Sequence, residues 1–315
     1  MGFKLAMPQF ALPQFAQQKS EPSALAQTHA RLKAWWNGES VAPTNPSDSN
    51  NHVEGKNPAD EVDWASVHPR ASAALWGKGR SYPSNAELEA QIALDSGGAK
   101  ASRIALFGGG AGAMARVISE KTAAKIEVFE NDPTARAMTE KTLKALKQPK
   151  RFGFHGFDWQ PGSLPKGKAD AAIFMFQGGQ EGRIEAGAFC AERILRPGAS
   201  AIWLDFFSRR DDETLDDCRG HEKRQFGTEE EATIAFSACG LTISADEDWS
   251  ARYLDAFDVA WRDLAINLGL RQGALIKEGG YNASASALEN LICWKARNEA
   301  LQSGKLMVRR YVLTS

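Results

Sequence analysis

Residues 103–118 read Arg-Ile-Ala-Leu-Phe-Gly-Gly-Gly-Ala-Gly-Ala-Met-Ala-Arg-Val-Ile. An apolar run that stops at a glycine cluster and restarts with helix formers predicts strand, tight turn and helix. A second run, Lys125-Ile-Glu-Val-Phe-Glu130, predicts a parallel strand that ends on a carboxylate. Glycine is required at such a turn because the backbone must bend sharply and come close to a ligand, which a Cβ would block. The helix behind the turn presents unpaired N–H groups to the same ligand. The stretch therefore predicts a nucleotide-cofactor crevice in a doubly wound sheet, and the open question is which cofactor.

The chain downstream alternates in the manner of a parallel sheet. Asp132-Pro-Thr opens a helix with an acidic cap and proline in its first turn, running to about Leu146. Arg151 to Trp159 reads as a third strand ending at Asp158, and Ala169 to Phe176 as a fourth, apolar enough to be buried on both faces. A helix from Ala186 to Ile194 closes at Leu195-Arg-Pro-Gly198, and Ala199 to Asp205 is a fifth strand. Ser208 to Lys223 is densely charged and reads as a solvated loop with a short helix. Thr228-Glu-Glu-Glu231 looks like a capping box for a helix to Cys239, followed by a sixth strand over Leu241–Ala245. Helices across about 248–304 precede a last strand, Lys305 to Leu313.

Ahead of the crevice, residues 1–63 form an N-terminal extension and linker, with the main domain over 64–315. Within the extension, Ser23 to Trp36 has helical spacing, and 37–63 is rich in Asn, Ser, Pro, Gly and acids. The extension reads equally as a homodimerisation arm or lid and as a segment packed on the core. The loop Gly77-Lys-Gly-Arg-Ser-Tyr-Pro83 stands just upstream of the glycine turn, so Trp76, Arg80 and Tyr82 are candidates to cover cofactor or substrate, although a lone Trp at a helix end, as Trp76 is, is more often a core anchor.

Composition removes several classes of function. With 38 basic and 39 acidic residues the formal charge is −1, so no global field attracts nucleic acid or an anionic membrane. The longest apolar runs fall far short of the roughly 18 residues of a membrane span. The N-terminus has no continuous apolar core of a secretory signal. Four widely spaced cysteines, with no C-x-x-C pair, read as reduced thiols in a cytoplasmic protein. The five histidines lack ligand spacing, so no metal is expected.

In an open α/β sheet, ligands sit outside the carboxyl ends of the strands. Those ends here are Gly108 to Gly112, Glu130, Asp158-Trp159, Phe176-Gln177 and Asp205-Phe206. A nicotinamide dinucleotide would accept Gly108-x-Gly110-x-x-Ala113 with an acid about 20 residues on. Asp158 beside Trp159 suits an adenine amino group and ring face, and the Leu-Arg-Pro-Gly turn points the same way.

Phe107-Gly-Gly-Gly-Ala-Gly112, Phe129-Glu-Asn-Asp-Pro133, Gly156-Phe-Asp-Trp159, Ala169-Asp-Ala-Ala-Ile173 and Ile194-Leu-Arg-Pro-Gly198 together resemble the successive motifs of class I S-adenosylmethionine-dependent methyltransferases. The resemblance implies a doubly wound, seven-stranded, mostly parallel sheet, here with an N-terminal extension and a helical insertion before the last strand. It implies S-adenosylmethionine as cofactor. Gly108, Gly110 and Gly112 would approach the methionine and ribose, Glu130 would take both ribose hydroxyls, and Asp158 and Trp159 would meet the adenine, with Gln177 at the next strand end. The family usually carries an acid two residues before the first glycine, and here that residue is Leu106.

The helical insertion resembles the roof of small-molecule methyltransferases such as those acting on sarcosine and dimethylglycine. It places Trp249 and Tyr253, with Trp261, as candidates for an aromatic box around the acceptor; aromatics at helical spacing are more often core, which is the favoured reading of Trp261, while Tyr253 reads equally either way. His155 and His221 are nominal bases, and no spacing selects a catalytic residue. Two alternatives stay open: a non-catalytic, regulatory member of the fold, for which Leu106 is the motive, and an NAD-dependent oxidoreductase.

Overall fold

A computed structural model describes residues 63–97, 101–146, 148–176, 183–209, 214–216 and 223–315. The expected roles of the extension, and the candidates Gln177 and His221, lie outside the described residues. In chain order the strands are β1 (Arg103–Phe107), β2 (Lys125–Glu130), β3 (Phe152–Gly156), β4 (Ala169–Met175), β5 (Leu195–Ser208), β6 (Thr214–Asp216), β7 (Lys223–Gln225), β8 (Thr242–Asp248) and β9 (Leu306–Thr314). The helices are α1 (Trp64–Trp76), α2 (Ala86–Asp95), α3 (Ala113–Lys121), α4 (Pro133–Lys144), α5 (Arg183–Ile194), α6 (Glu229–Ala238), α7 (Ser250–Ile266) and α8 (Leu268–Gln302).

Seven strands form one sheet in the order β3-β2-β1-β4-β5-β9-β8. The first five run parallel, while β9 pairs antiparallel with both β5 and β8. Strand order reverses beside β1, between the β1-to-β2 and β1-to-β4 neighbours. This is the switch point where the carboxyl ends open a crevice.

One rank of aromatic side chains runs across the sheet in register: His155 opposite Phe129, Phe129 opposite Phe107, Phe107 opposite Phe174, Phe174 opposite Trp203 and Trp203 opposite Tyr311. Phe107 stacks on Phe129 at 4.8 Å and on Phe174 at 4.4 Å, and Phe174 stacks on Trp203 at 4.9 Å. Identical register puts these side chains on one face, where parallel pleats bring large rings into cross-strand contact. Helix α5 fits over that rank through Gly187, where a Cβ would lie 2.3 Å from the Trp203 ring, and α6 adds Phe236 at 5.2 Å from it.

Several local expectations are met for stated reasons. Asp132 caps α4 by accepting the N–H groups of Thr134 and Ala135, both at 2.8 Å, and Thr228 and Glu231 form the reciprocal capping box of α6. Other expectations are corrected. β3 ends at Gly156 rather than at Asp158, and the chain turns left-handed at Trp159 (φ 62°) beyond it. β5 starts at Leu195, so Arg196-Pro-Gly198 belongs to a strand segment whose Gly198 N–H pairs with the Ser315 carbonyl. In place of a short helix, Thr214–Asp216 pairs with Lys223–Gln225 as a two-stranded sheet. Cys293 is disulfide-bonded, against the expectation of reduced thiols throughout. Cys190 and Cys239 are free, and burial pushes the Cys190 thiol up to about 12.

The connection from β3 to β4 carries only a 3-10 turn at Pro161–Ser163. The sheet face beneath it therefore keeps a cleft of about 140 Å³, lined by Arg103, Glu127, Phe129, His155 and Lys168 among others. Arg103 and Ala169 open their strands, so this cleft lies off the carboxyl-end crevice.

Candidate cofactor crevice

The glycine turn is built as its composition demands. Gly108, Gly110 and Gly112 all have left-handed φ, at 76°, 65° and 104°, a region closed to most L side chains. Beneath the turn, Leu106 is fully buried, and a Cβ on Gly109 would lie 2.6 Å from its Cδ2. Thr139 of α4 donates to the Gly110 carbonyl at 3.0 Å. From above, the Gly79 carbonyl accepts the Ala113 N–H at 3.2 Å and so caps the first turn of α3.

Glu130 ends β2 beside this turn and is only 7% exposed. It accepts the backbone N–H of Asp132 at 3.2 Å, and the Asn131 N–H also points to it. Burial pushes its carboxyl up to about 7, and the Asp132 and Asn131 N–H groups and the Arg136 charge only partly oppose this. A carboxylate so enclosed and so thinly satisfied has lone pairs left for further donors.

At the next strand end, Asp158 is exposed and accepts the Gln160 N–H at 3.1 Å. Trp159 packs against Phe157 at 5.0 Å, and its Nε1 is buried with no hydrogen-bond acceptor. Among the described residues, three that are not glycine have positive φ: Lys78, Trp159 and Phe176. Lys78 lies in the loop over the glycine turn, Trp159 follows β3 and Phe176 follows β4. Backbone strain of this kind costs about 1–3 kcal/mol per residue and gathers at functional sites.

The cover and the acceptor side come from α1, its following loop and the helical roof. Arg80 makes a bidentate ion pair with Glu89 of α2, at 2.6 and 2.7 Å. Tyr82 donates to the Met175 sulfur at 3.7 Å and meets Phe176 edge-on at 5.0 Å. Tyr253 of α7 donates to the Pro83 carbonyl at 3.1 Å and packs on Phe176 and Phe206. Burial raises both phenols, so both keep their protons at neutral pH. Trp76 is a core anchor, its indole donating to Asn290 at 2.8 Å and its ring against Trp261 at 5.9 Å. Trp249 stands apart: its indole donates to Glu247 at 2.7 Å, with the Arg252 and Arg310 guanidinium groups over its ring.

The structure thus brings Gly108, Gly110, Gly112 and Glu130 together around one turn, and gathers Tyr82 and Tyr253 with Phe176 and Phe206 at the ends of β4 and β5. The sequence reading missed Glu89, Thr139 and Pro83. Glu89 looks like an ordinary surface acid in an amphipathic helix, and only its complete burial marks it out. Phe176 is legible as a strand end, but its left-handed backbone has no sequence signal.

No family model and no curated protein matches the chain. Solved structures do match. The [4+2]-cyclase SpnF superposes with a TM-score of 0.63 at 15% identity, over 80% of this chain and 93% of its own. The cyclopropane synthase MmaA2 from Mycobacterium tuberculosis gives 0.60 at 11% identity, over 81% and 99%. Phosphoethanolamine N-methyltransferase 2 from Haemonchus contortus, in complex with S-adenosyl-L-methionine, gives 0.64 at 12% identity, over 79% of this chain and 57% of its own. The fold is the class I methyltransferase fold. The methyltransferase-type sheet expected from the motifs, with its antiparallel β9 and the helices inserted before it, is therefore present. A cyclase among these structures is a reminder that such a fold hosts more than one chemistry.

Proposed function

We propose that the chain binds S-adenosylmethionine in this crevice and transfers its methyl group to a small-molecule acceptor. The observation that carries the reading is Glu130: a carboxylate 7% exposed, at the end of β2, met among the described residues by the backbone N–H groups of Asp132, at 3.2 Å, and Asn131. A ribose diol offers the two O–H donors such a group lacks, each bond to an ionised acceptor being worth about 1.5–3 kcal/mol. Asp158 keeps an oxygen for the adenine amino group, and the partnerless Trp159 indole N–H offers a donor to the same ring. The solved structures of like fold support the reading: a phosphoethanolamine N-methyltransferase and a geranyl diphosphate methyltransferase both act on small molecules.

When bound, the cofactor supplies a sulfonium methyl group open to in-line displacement. The chain's part is to orient and to exclude water. The glycine turn sets the backbone's approach, Glu130 fixes the ribose, and Tyr82, Phe176, Phe206 and Tyr253 form an apolar wall at the acceptor side. We assign no general base. The phenols keep their protons, His68 is hydrogen-bonded to Ser286, and His155 to Glu127. An acceptor arriving with a free electron pair needs none. Among the described residues no helix is long and apolar enough to cross a membrane.

Leu106 favours a second reading, a cofactor-binding protein without transferase activity. Calorimetry with S-adenosylhomocysteine and with NAD tests the crevice: binding of the first and not the second is expected, and the reverse overturns the assignment. Incubation with labelled S-adenosylmethionine and a metabolite extract then separates the two readings, since the second binds the cofactor and labels nothing.

A further inference from the structure

The amino-acid end of S-adenosylmethionine carries an ammonium and a carboxylate, and Leu106 leaves the usual acid position beneath the turn apolar. The carboxylate of that end calls for a cation in any case, and none stands in the turn itself. We propose, on the methyltransferase reading above, that Arg80 binds the cofactor's carboxylate and that Glu89 holds it in position.

The backbone fixes where Arg80 stands. On one side of it the Gly79 carbonyl accepts the Ala113 N–H at 3.2 Å, and a Cβ on Gly79 would lie 2.8 Å from the Ala111 carbonyl. On the other side, a Cβ on Gly110 would lie 3.2 Å from the Ser81 nitrogen. Arg80 is therefore gripped between two residues that both touch the glycine turn.

Its chemistry suits the task. Nε donates to Glu89 Oε1 at 2.6 Å and Nη2 to Oε2 at 2.7 Å. That fork uses two of the five guanidinium donors. The other edge, with Nη1, makes no hydrogen bond to a described residue and presents the planar geometry that receives a second carboxylate in bidentate fashion. The Glu89 side chain is 0% exposed and that of Arg80 11%. Such a buried pair is weak evidence for stability, because an apolar pair of like volume would serve packing as well. What the pair supplies beyond packing is one fixed orientation of a cation. Of the other cations nearby, Arg271 pairs with Asp263 at 2.7 Å, and Arg136 lies against Gly156 and acts on the Glu130 carboxylate.

The test compares S-adenosylhomocysteine with 5′-methylthioadenosine, a nucleoside thioether that lacks the amino-acid end. Calorimetry is done on the full chain, on Arg80→Lys, and on the Arg80→Gln/Glu89→Gln double variant, which leaves no lone buried charge. Both variants are expected to bind S-adenosylhomocysteine at least about tenfold more weakly while their affinity for methylthioadenosine stays within about twofold. Equal weakening of both ligands, or of neither, overturns the assignment. A wild-type chain that binds both ligands equally well overturns it too and leaves the cofactor reading standing. A wild-type chain that binds neither overturns the cofactor reading itself.

Discussion

Glu130 ties stability and binding together through one proton. Its carboxyl is raised from 4.5 to about 7 by burial, so the folded state prefers the protonated acid. The sign follows: folding stability is undiminished below the unfolded value and falls as pH rises from about 4.5 to about 7. Cofactor binding runs the other way, because two ribose O–H donors need the ionised acceptor. Affinity for S-adenosylhomocysteine should rise with pH through about 7 and level off above it. Glu130→Gln should be more stable than wild type at pH 8, by roughly 1–3 kcal/mol in thermal or urea unfolding. It should also bind the cofactor at least about tenfold more weakly and lose the pH dependence. A variant that gained no stability at pH 8 would show that the carboxyl is hydrated rather than desolvated. The position of this acid was legible in the sequence because an apolar strand that ends on a carboxylate puts it at the crevice. Its burial was not legible, since burial depends on how α4 and the glycine turn close over it.

At the scale of elements, β1, the glycine turn and α3 were readable because each requirement leaves a residue-type trace: apolar run, glycines, helix formers. The loop that caps α3 leaves almost none. Gly77, Lys78 and Gly79 are consecutive residues in left-handed backbone, at φ 68°, 56° and 78°, and glycine at the outer two hides how tightly the loop sits on the turn. Two alanine substitutions separate backbone strain from contact. Gly97→Ala meets φ +82° with its nearest neighbour 4.0 Å away, whereas Gly79→Ala meets φ +78° with the Ala111 carbonyl at 2.8 Å. Gly97→Ala should cost about 1–2 kcal/mol of stability. Gly79→Ala should cost more, by about another 1–3 kcal/mol, and weaken S-adenosylhomocysteine binding, which Gly97→Ala should leave unchanged. Equal costs, with equal binding, would mean that the loop lifts off the turn freely. The misread elements have their own reasons. The charged stretch around Thr214–Asp216 and Lys223–Gln225 carries no apolar period to distinguish hairpin from helix, and nothing in the cysteine spacing marks Cys293 for a disulfide.

Over the whole molecule, the helix that leads into the crevice cover is moored to the roof. Helix α1 packs along α8 through side chains far apart in sequence: His68 to Ser286 at 2.6 Å, and Asn290 both accepting from the Trp76 indole at 2.8 Å and donating to Ser72 at 3.0 Å. Helix α8 itself breaks at Gly279 and Gly280, whose φ/ψ values are not helical, so the part that holds α1 lies beyond the break from the part that follows α7. No periodicity in the sequence discloses such couplings, because each partner alone looks like a polar residue on an amphipathic helix. Asn290 is the joint. Replacing it with alanine removes both hydrogen bonds and leaves the Trp76 indole, part of the core, without its acceptor, which should cost about 1–3 kcal/mol. The cost should not fall evenly. The sheet keeps its aromatic rank, so amide hydrogen exchange in β1 and β4 should quicken only as global stability falls. Exchange across residues 77–83 should quicken further, since the loop then rides on an unmoored α1. S-adenosylhomocysteine should suppress that excess if the loop closes over it, because a ligand that binds one state adds its binding free energy to that state alone. Uniform acceleration across loop and sheet would instead make α1, loop and sheet one cooperative unit, with the cover rigid from the start.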